Sequence, residues 1–178
     1  VEASIPNTND PTQIPTALYT KTTQSRYRLW TNSKSKIYNY GSSLGLKYRF
    51  NDILSALGNA TYSKLDRTDD KDGLEDGFNT PQIMANATIV TENFWKNLGA
   101  SVTYHQQSKY NYVSFLVSGE VPAYWSMDAQ INYTFVKPGV IAKLGGTNFL
   151  NKPYYSILGG PQIGAFYYLS LTWNIGKL

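Results

Sequence analysis

From about residue 26 to the end of the chain, apolar and polar residues alternate in long runs. The clearest run covers residues 125–135, where every even position is polar and the odd positions hold Trp125, Met127, Ala129, Ile131, Tyr133 and Phe135. Six further runs follow this pattern, at residues 38–50, 54–62, 83–89, 98–107, 140–144 and 167–175. A period of two predicts strands with one apolar and one polar face. We therefore predict an all-β chain with seven antiparallel strands.

The length of these runs favours a membrane barrel over a soluble sandwich. Many extend over about ten residues, whereas strands of globular proteins average about five or six and a strand tilted across a bilayer needs roughly 9–11. Tyr and Trp stand near the ends of the runs, as in the aromatic girdles of outer-membrane barrels. The residues predicted to form this lipid-facing girdle are Tyr38, Tyr40, Trp125, Tyr133, Tyr167 and Trp173.

The composition agrees with this choice. Aromatic residues make up 15% of the 178 residues and charged residues only 16%, compared with about 25% charged residues in ordinary soluble domains. Ser, Thr, Asn and Gln dominate the polar faces, which suits a wet or protein-filled lumen. The absence of Cys excludes disulfide scaffolds and thiolate zinc sites. The net charge of +4 is spread along the chain, without the dense cationic stripe that nucleic-acid binding requires.

The connections between the runs alternate in length, which predicts the orientation of the strands. Short turns fall at residues 51–52, 92–97 and 137–139, and long loops at residues 65–81, 109–121 and 149–164. Outer-membrane barrels keep short turns in the periplasm and long loops outside. We therefore predict a long extracellular loop at residues 1–25, seven transmembrane strands within residues 26–176, and a periplasmic end at residues 177–178. Single-chain bacterial barrels have an even number of strands, so we expect a segment of a larger barrel, either a nicked product or a separate fragment.

Several segments resemble TonB-dependent outer-membrane receptors. The most specific are residues 144–155, 159–164 and 168–175, which are similar to the last two strands of that family and the loop between them. Residues 32–41 resemble one of its descending strands. The chain departs from the family where Ser42 and Ser43 replace a common Glu, and where residues 176–178 follow the expected terminal aromatic position.

The resemblance implies the C-terminal third of a 22-stranded barrel in the outer membrane of a Gram-negative bacterium. It implies transport of a scarce ligand rather than catalysis, and no cofactor. The implied partners are the plug and remaining strands of the same receptor, TonB, outer-membrane lipid or lipopolysaccharide, an unknown imported ligand and a surface lipoprotein. Residues 77–81 and 121–128 resemble a branch that often carries a carboxypeptidase-like extension. A passive porin-like barrel is the alternative, and an outer-membrane hydrolase is a third hypothesis.

Two groups of residues are candidates for function. His105, the only histidine, and Asp128 fall on the polar faces of neighbouring strands. They could serve acid–base chemistry, but a hydrogen bond that braces the lumen fits better. Aromatic residues on loops over a rigid barrel are plausible ligand contacts, and the candidates are Tyr110, Tyr112, Tyr154 and Tyr155. We assign no catalytic, cofactor-binding or metal residue.

Two charged segments invite a more specific hypothesis. Residues 66–76 are acidic and contain a Gly, as in a calcium loop, but Thr68 and Asn79 stand where an Asp and a Glu would be needed. A solvated loop therefore fits this segment better. In an extended chain, Lys34 and Lys36 fall on the same outward-facing side as Tyr38 and Tyr40. They are therefore candidates for contact with lipopolysaccharide phosphates.

Overall fold

The computed structural model describes residues 32–67, 77–114, 117–137 and 139–173. These residues form nine strands: β1 Ile37–Arg49, β2 Leu54–Arg67, β3 Ile83–Trp95, β4 Leu98–Gln107, β5 Tyr110–Val113, β6 Ser118–Val121, β7 Tyr124–Phe135, β8 Val140–Thr147 and β9 Phe166–Trp173. Residues 38–66 and 76–178 belong to one compact unit. The other unit, residues 1–37 and 67–75, lies almost wholly outside the described residues. Within the described part of the chain, no helix is long and apolar enough to cross a membrane.

Seven of the strands form one sheet in the order β1-β2-β3-β4-β7-β8-β9. The five pairings from β2 to β9 are antiparallel. β1 joins β2 through a tight turn in which the Phe50 amide donates to the Leu54 carbonyl over 2.9 Å. The predicted set of seven antiparallel strands is therefore confirmed. The predicted loop at residues 109–121 contains a further element, because β5 and β6 pair as a separate hairpin.

The register of the sheet collects the apolar positions on one face. Ile131 lies opposite Leu144, which lies opposite Leu169, and these side chains are 49%, 53% and 71% exposed. Among the described residues, Val121 is the only buried hydrophobic residue. The described residues therefore leave the large apolar face of the sheet uncovered. Contiguous exposed apolar surface of this kind marks a contact with protein or membrane.

The short turns are built by local side-chain hydrogen bonds and by residues with positive φ. The Asn51 side chain accepts from the amides of Ile53 and Leu54, each over 2.8 Å. Lys96 and Asn97 have φ values of 42° and 72°, as a two-residue hairpin turn requires. The turn predicted at residues 92–97 is therefore shorter than expected. β3 continues to Trp95 through a register shift that contains Asn93, whose φ is 52°.

The sheet has two distinct ends, which we name by their connections. The short-turn end comprises the turns at residues 50–53 and 96–97 and the residues 136, 137 and 139 between β7 and β8. The long-loop end comprises the described residues of the three long connections, which are 77–82, then 108–114 with 117–123, and 148–165. The hairpin of β5 and β6 lies in the second of these loops, and a bridge between Tyr154 and Ile163 closes the third.

Candidate functional site

A continuous line of polar side chains crosses four strands on the polar face. We call Asn59, Asn86, His105 and Asp128, one from each of β2, β3, β4 and β7, the polar ladder. The Asn86 amide donates to Asn59 Oδ1 over 2.8 Å. His105 Nδ1 lies 2.6 Å from Asn86 Oδ1, and His105 Nε2 lies 3.1 Å from Asp128 Oδ2. The ladder thus connects the predicted pair His105 and Asp128 to two further residues.

The polar ladder ends at Asn148, at the base of the third long loop. The Asn148 amide donates to Asp128 Oδ1 over 2.9 Å. Its side chain accepts from the Lys152 amide over 3.2 Å and donates to the carbonyls of Lys152 and Ile163 over 2.9 and 3.4 Å. Asn148 is 2% exposed and has a φ of 46°, a conformation that Asn tolerates better than most residues. Asp128 therefore holds the residue that fixes both ends of this loop.

The hydrogen bonds of the polar ladder can form with either a charged or a neutral His105. Because Asn86 Nδ2 donates to Asn59, Asn86 Oδ1 is left to accept from His105 Nδ1. An ionised Asp128 accepts from His105 Nε2. A histidine with protons on both nitrogens is an imidazolium. A neutral His105 keeps the same contacts when the amides of Asn59 and Asn86 turn over, since Asn86 Nδ2 then donates to Nδ1.

The surroundings of His105 do not form a nucleophilic triad. Ser126 lies directly opposite His105 in the register of β4 and β7 and is 5% exposed. Both imidazole nitrogens already contact other residues, Asn86 and Asp128. No nitrogen is therefore left to accept a proton from the Ser126 hydroxyl, which a base in such a triad must do.

Hydrogen bonds between the long loops tie them to one another. The Asn79 side chain donates to the Val113 carbonyl over 2.8 Å and accepts from the Val113 amide over 2.7 Å. This pair joins the first loop to β5. The Tyr110 hydroxyl donates to the Ser156 carbonyl over 2.8 Å and joins β5 to the third loop. Burial raises the pKa of Tyr110 above its ordinary value, with a smaller contribution from Tyr112, so the hydroxyl stays protonated as a donor at neutral pH.

The four candidate loop tyrosines fall into two groups. Tyr110 and Tyr154 hold the loops together, because Tyr110 binds Ser156 and the Tyr154 ring stacks on Tyr124 with centroids 3.9 Å apart. Tyr112 and Tyr155 have no ring or side-chain hydrogen-bond partner among the described residues. Tyr155 is 43% exposed and Tyr112 is half-buried. Tyr112 and Tyr155 are therefore the two tyrosines that remain available to a ligand.

The predicted girdle residues lie on the apolar face, at both ends of the sheet. Tyr38, Tyr40 and Tyr167 are exposed and Trp125 is half-buried at the long-loop end. Trp173 is exposed and Tyr133 is half-buried at the short-turn end. Lysines accompany the rings: Lys152 Nζ lies 4.1 Å from the centre of the Trp125 ring, and Lys96 Nζ lies 5.8 Å from that of Trp95.

The other charged candidates lie partly outside the described residues. Most of the acidic segment, residues 68–76, is among those that the structure does not describe. In the described ranges, no group of three or more His, Asp or Glu side chains could hold a metal ion. Lys34 and Lys36 are exposed and directly precede β1.

The family model of the TonB dependent receptor-like β-barrel matches residues 3–149. The match therefore does not include residues 150–175, which contain part of the ending that most resembles the family. No curated protein sequence matches the chain.

Two solved receptors share the fold. One is the siderophore receptor PiuA from Acinetobacter baumannii, with a TM-score of 0.56 and 18% identity over 75% of this chain. The other is FpvA of P. aeruginosa, solved in complex with a heterologous pyoverdine and iron, with a TM-score of 0.61 and 12% identity over 97% of this chain. The chain covers only 22% and 23% of the lengths of these two receptors.

Proposed function

Since this chain belongs to the TonB-dependent receptor β-barrel family, we propose that it forms part of the wall and the outer loops of a receptor that imports a scarce ligand. The observation that carries the proposal is the two-faced sheet of seven strands, with exposed Leu, Ile and aromatic residues on one face and a polar ladder on the other. An apolar face of this size fits contact with a bilayer or another apolar surface, because apolar side chains exposed to water are unfavourable.

The orientation of the sheet follows from its two ends. In bacterial barrels, short turns face the periplasm and long loops face the outside. We place the long-loop end of this sheet at the cell surface and the end of β9 in the periplasm. The remaining strands and the plug belong to other parts of the receptor. The carboxypeptidase-like extension and the surface lipoprotein stay predictions.

The described parts of the long loops are suited to hold a ligand because hydrogen bonds fix them before it arrives. Asn79, Tyr110 and Asn148 tie the three loops through hydrogen bonds, and a preorganised surface loses less entropy on binding. Tyr112 and Tyr155 supply ring surface that the loops do not use themselves. We therefore assign ligand contact to these two residues, and loop support to Tyr110 and Tyr154.

The polar ladder gives the lumen wall a direct connection to the third loop. A plug that contacts the ladder at Asn59 or His105 would change the hydrogen bonds of Asp128, and through them the position of Asn148. In our proposal, energy delivered by TonB moves the plug, and the wall contributes contacts rather than chemistry. His105 fits a wall that carries out no chemistry, since its two ring nitrogens already contact Asn86 and Asp128.

Uptake by intact cells tests the proposal. A strain that lacks the receptor gene should lose growth on one class of limiting nutrient, chosen from ferric siderophores, vitamins, glycans and peptides. A strain that carries the gene but lacks TonB should show the same loss. Growth that depends on the gene but not on TonB would contradict the proposal and support a passive porin-like barrel.

The loop assignment has its own test in the same strains. Tyr112→Ala and Tyr155→Ala should each weaken uptake at low ligand concentration while the amount of folded receptor is unchanged. Tyr133→Ala, on the apolar face at the short-turn end, is the matched control and should leave the apparent affinity for the ligand unaltered. Equal effects of all three variants would show that the tyrosines matter only for folding.

A further inference from the structure

We propose that the long-loop end of the apolar face carries a binding site for the phosphate group of a lipid, formed by Lys152, Trp125 and Gln106. The proposal rests on the membrane orientation proposed above, and it extends the lipid contact expected of Lys34 and Lys36 to a different part of the sheet. The occupant to which we commit is a phosphorylated lipid of the outer leaflet, such as lipid A.

Lys152 is held in place by its own main chain. The Asn148 side chain binds both the amide and the carbonyl of Lys152, and Asn148 is itself buried and anchored to Asp128. The Lys152 ammonium lies 4.1 Å from the centre of the Trp125 ring. A cation over an indole keeps its remaining N–H groups turned away from the ring and free to bind an anion. Among the described residues, no carboxylate lies within ion-pair distance of Lys152.

Two further donors lie on the same face, one on Trp125 itself and one on the neighbouring strand β4. Gln106 is directly opposite Trp125 in the register of β4 and β7, so their Cβ atoms are about 5 Å apart. The Gln106 carbonyl oxygen accepts from the Tyr104 hydroxyl over 3.3 Å, which leaves its exposed NH₂ group without an acceptor in the described part of the chain. The Trp125 indole N–H has none there either. Three donors without a protein acceptor fit the oxygens of a phosphate.

The surface next to these donors is apolar, which favours a lipid over a free anion. Met127, Ala129 and Ile131 continue from Trp125 along β7 on the same face, with Val102 and Leu144 beside them. A phosphate at the rim would therefore have its acyl chains on this apolar band. Lys64 lies 5.8 Å from the Tyr40 ring at the same end, but Asp66 follows it on the same face of β2. The Lys152 site lacks such a competing carboxylate.

Binding of lipid A to the full-length receptor in a neutral detergent tests the site. We expect the Lys152→Gln variant to bind lipid A roughly fivefold more weakly, since one lysine near an anionic surface contributes about 1 kcal/mol. Gln106→Leu should weaken binding as well. The first control is Lys96→Gln, which removes the similar lysine over Trp95 at the opposite end, and the second is Lys143→Gln on the polar face. Both controls should change binding by less than twofold.

Three results would overturn the proposal. Equal losses in Lys152→Gln and Lys143→Gln would show an unspecific effect of net charge. Binding of dephosphorylated lipid A as tight as that of lipid A would exclude the phosphate, and competition by inorganic phosphate at millimolar concentration would show a free-anion site. Circular dichroism of each variant keeps a folding defect separate from a binding defect.

The lipid site and the proposed function can fail separately. A receptor that imports its ligand in a TonB-dependent manner but does not bind lipid A contradicts only the lipid site. A barrel that binds lipid A with the expected variant pattern, but whose deletion affects no uptake, contradicts only the proposed function.

Discussion

His105 and Asp128 show how few side chains connect the lumen wall to a long loop. Asp128 uses its two oxygens for two different purposes, since Oδ1 accepts from the Asn148 amide and Oδ2 contacts His105. The carboxylate is therefore the only link between the polar ladder and the third loop in the described hydrogen bonds.

We predict that Asp128→Ala destabilises the receptor by about 1–2 kcal/mol, because the buried Asn148 amide loses its acceptor. Amides in residues 148–165 should then exchange hydrogen faster, which mass spectrometry can measure. Asp128→Asn is the matched control, since its Oδ1 can still accept from Asn148 and its NH₂ group can donate to a neutral His105. Similar exchange rates in the Ala and Asn variants would contradict this role of Asp128.

The Asn79 side chain pairs with the Val113 main chain in the way that a neighbouring strand would. It has a φ of 44° and binds both polar atoms of the Val113 main chain. We predict that Asn79→Gly keeps the backbone conformation but frees the first loop from β5, so that the Val113 amide exchanges at least tenfold faster. Thr80→Ala, one residue further on, is the control and should leave the exchange of Val113 unchanged. Slow exchange of Val113 in Asn79→Gly would show that the hairpin is held by other contacts.

At the scale of elements, the pair Gly145 and Gly146 in β8 has a defined packing role. A Cβ at Gly145 would lie 2.5 Å from the Tyr168 ring, and one at Gly146 would lie 2.7 Å from the Tyr167 ring. Tyr168 lies on the polar face, where its hydroxyl donates to Gln130 over 2.9 Å. Tyr167 lies on the apolar face, where its hydroxyl donates to the Phe149 carbonyl over 2.8 Å. Both glycines thus let β9 aromatics cover β8 from opposite sides.

We predict that Gly145→Ala lowers the free energy of unfolding by about 1–3 kcal/mol, because the Tyr168 ring must move and lose its bond to Gln130. Gly45→Ala in β1 is the control, since a Cβ there meets no atom closer than 3.9 Å. Urea unfolding of the two variants in lipid vesicles measures the difference. A stability of Gly145→Ala equal to that of Gly45→Ala would contradict the packing role.

The strands of the main sheet could be predicted from the sequence, whereas several smaller features could not. Long alternating runs fix the faces of β7 and β9 because a shift by one residue would bury polar side chains in lipid. The same parity placed His105 and Asp128 on one face. The hairpin of β5 and β6 escaped prediction, since four-residue strands are too short for alternation to stand out. The roles of Asn86 and Asn148 also escaped, because they depend on the path of the chain rather than on spacing.

At the scale of the molecule, both outer strands of the sheet have one neighbour in the described part of the chain. β1 pairs with β2 and β9 pairs with β8. Unpaired backbone groups at such edges cost several kcal/mol each in lipid, and they also attract other strands. The sheet therefore depends on further strands to complete its hydrogen bonds.

We predict that this chain, refolded alone into phospholipid vesicles, forms aggregates or oligomers rather than a stable monomer. Analytical ultracentrifugation after solubilisation in a neutral detergent measures the association state. The full-length receptor, treated in the same way, should remain monodisperse and resist protease. A protease-resistant monomer of the isolated chain would show that its edges close on each other.

The third long loop is held by asparagine side chains that bind main-chain atoms, which leaves part of its sequence free to vary. The Asn148 side chain binds main-chain atoms of Lys152 and Ile163, and the Asn151 side chain accepts from the main-chain amide of Ala165. Gly159 has a φ of 78° and Leu158 lies close to Gly119, so both of these positions are constrained. The frame of the third loop places few demands on the exposed residues 155, 156, 161 and 162. Homologous receptors could exchange these residues and recognise new ligands while the loop keeps its shape. For the same reason, these exposed positions are the place at which an engineer could graft a foreign peptide epitope onto a cell surface.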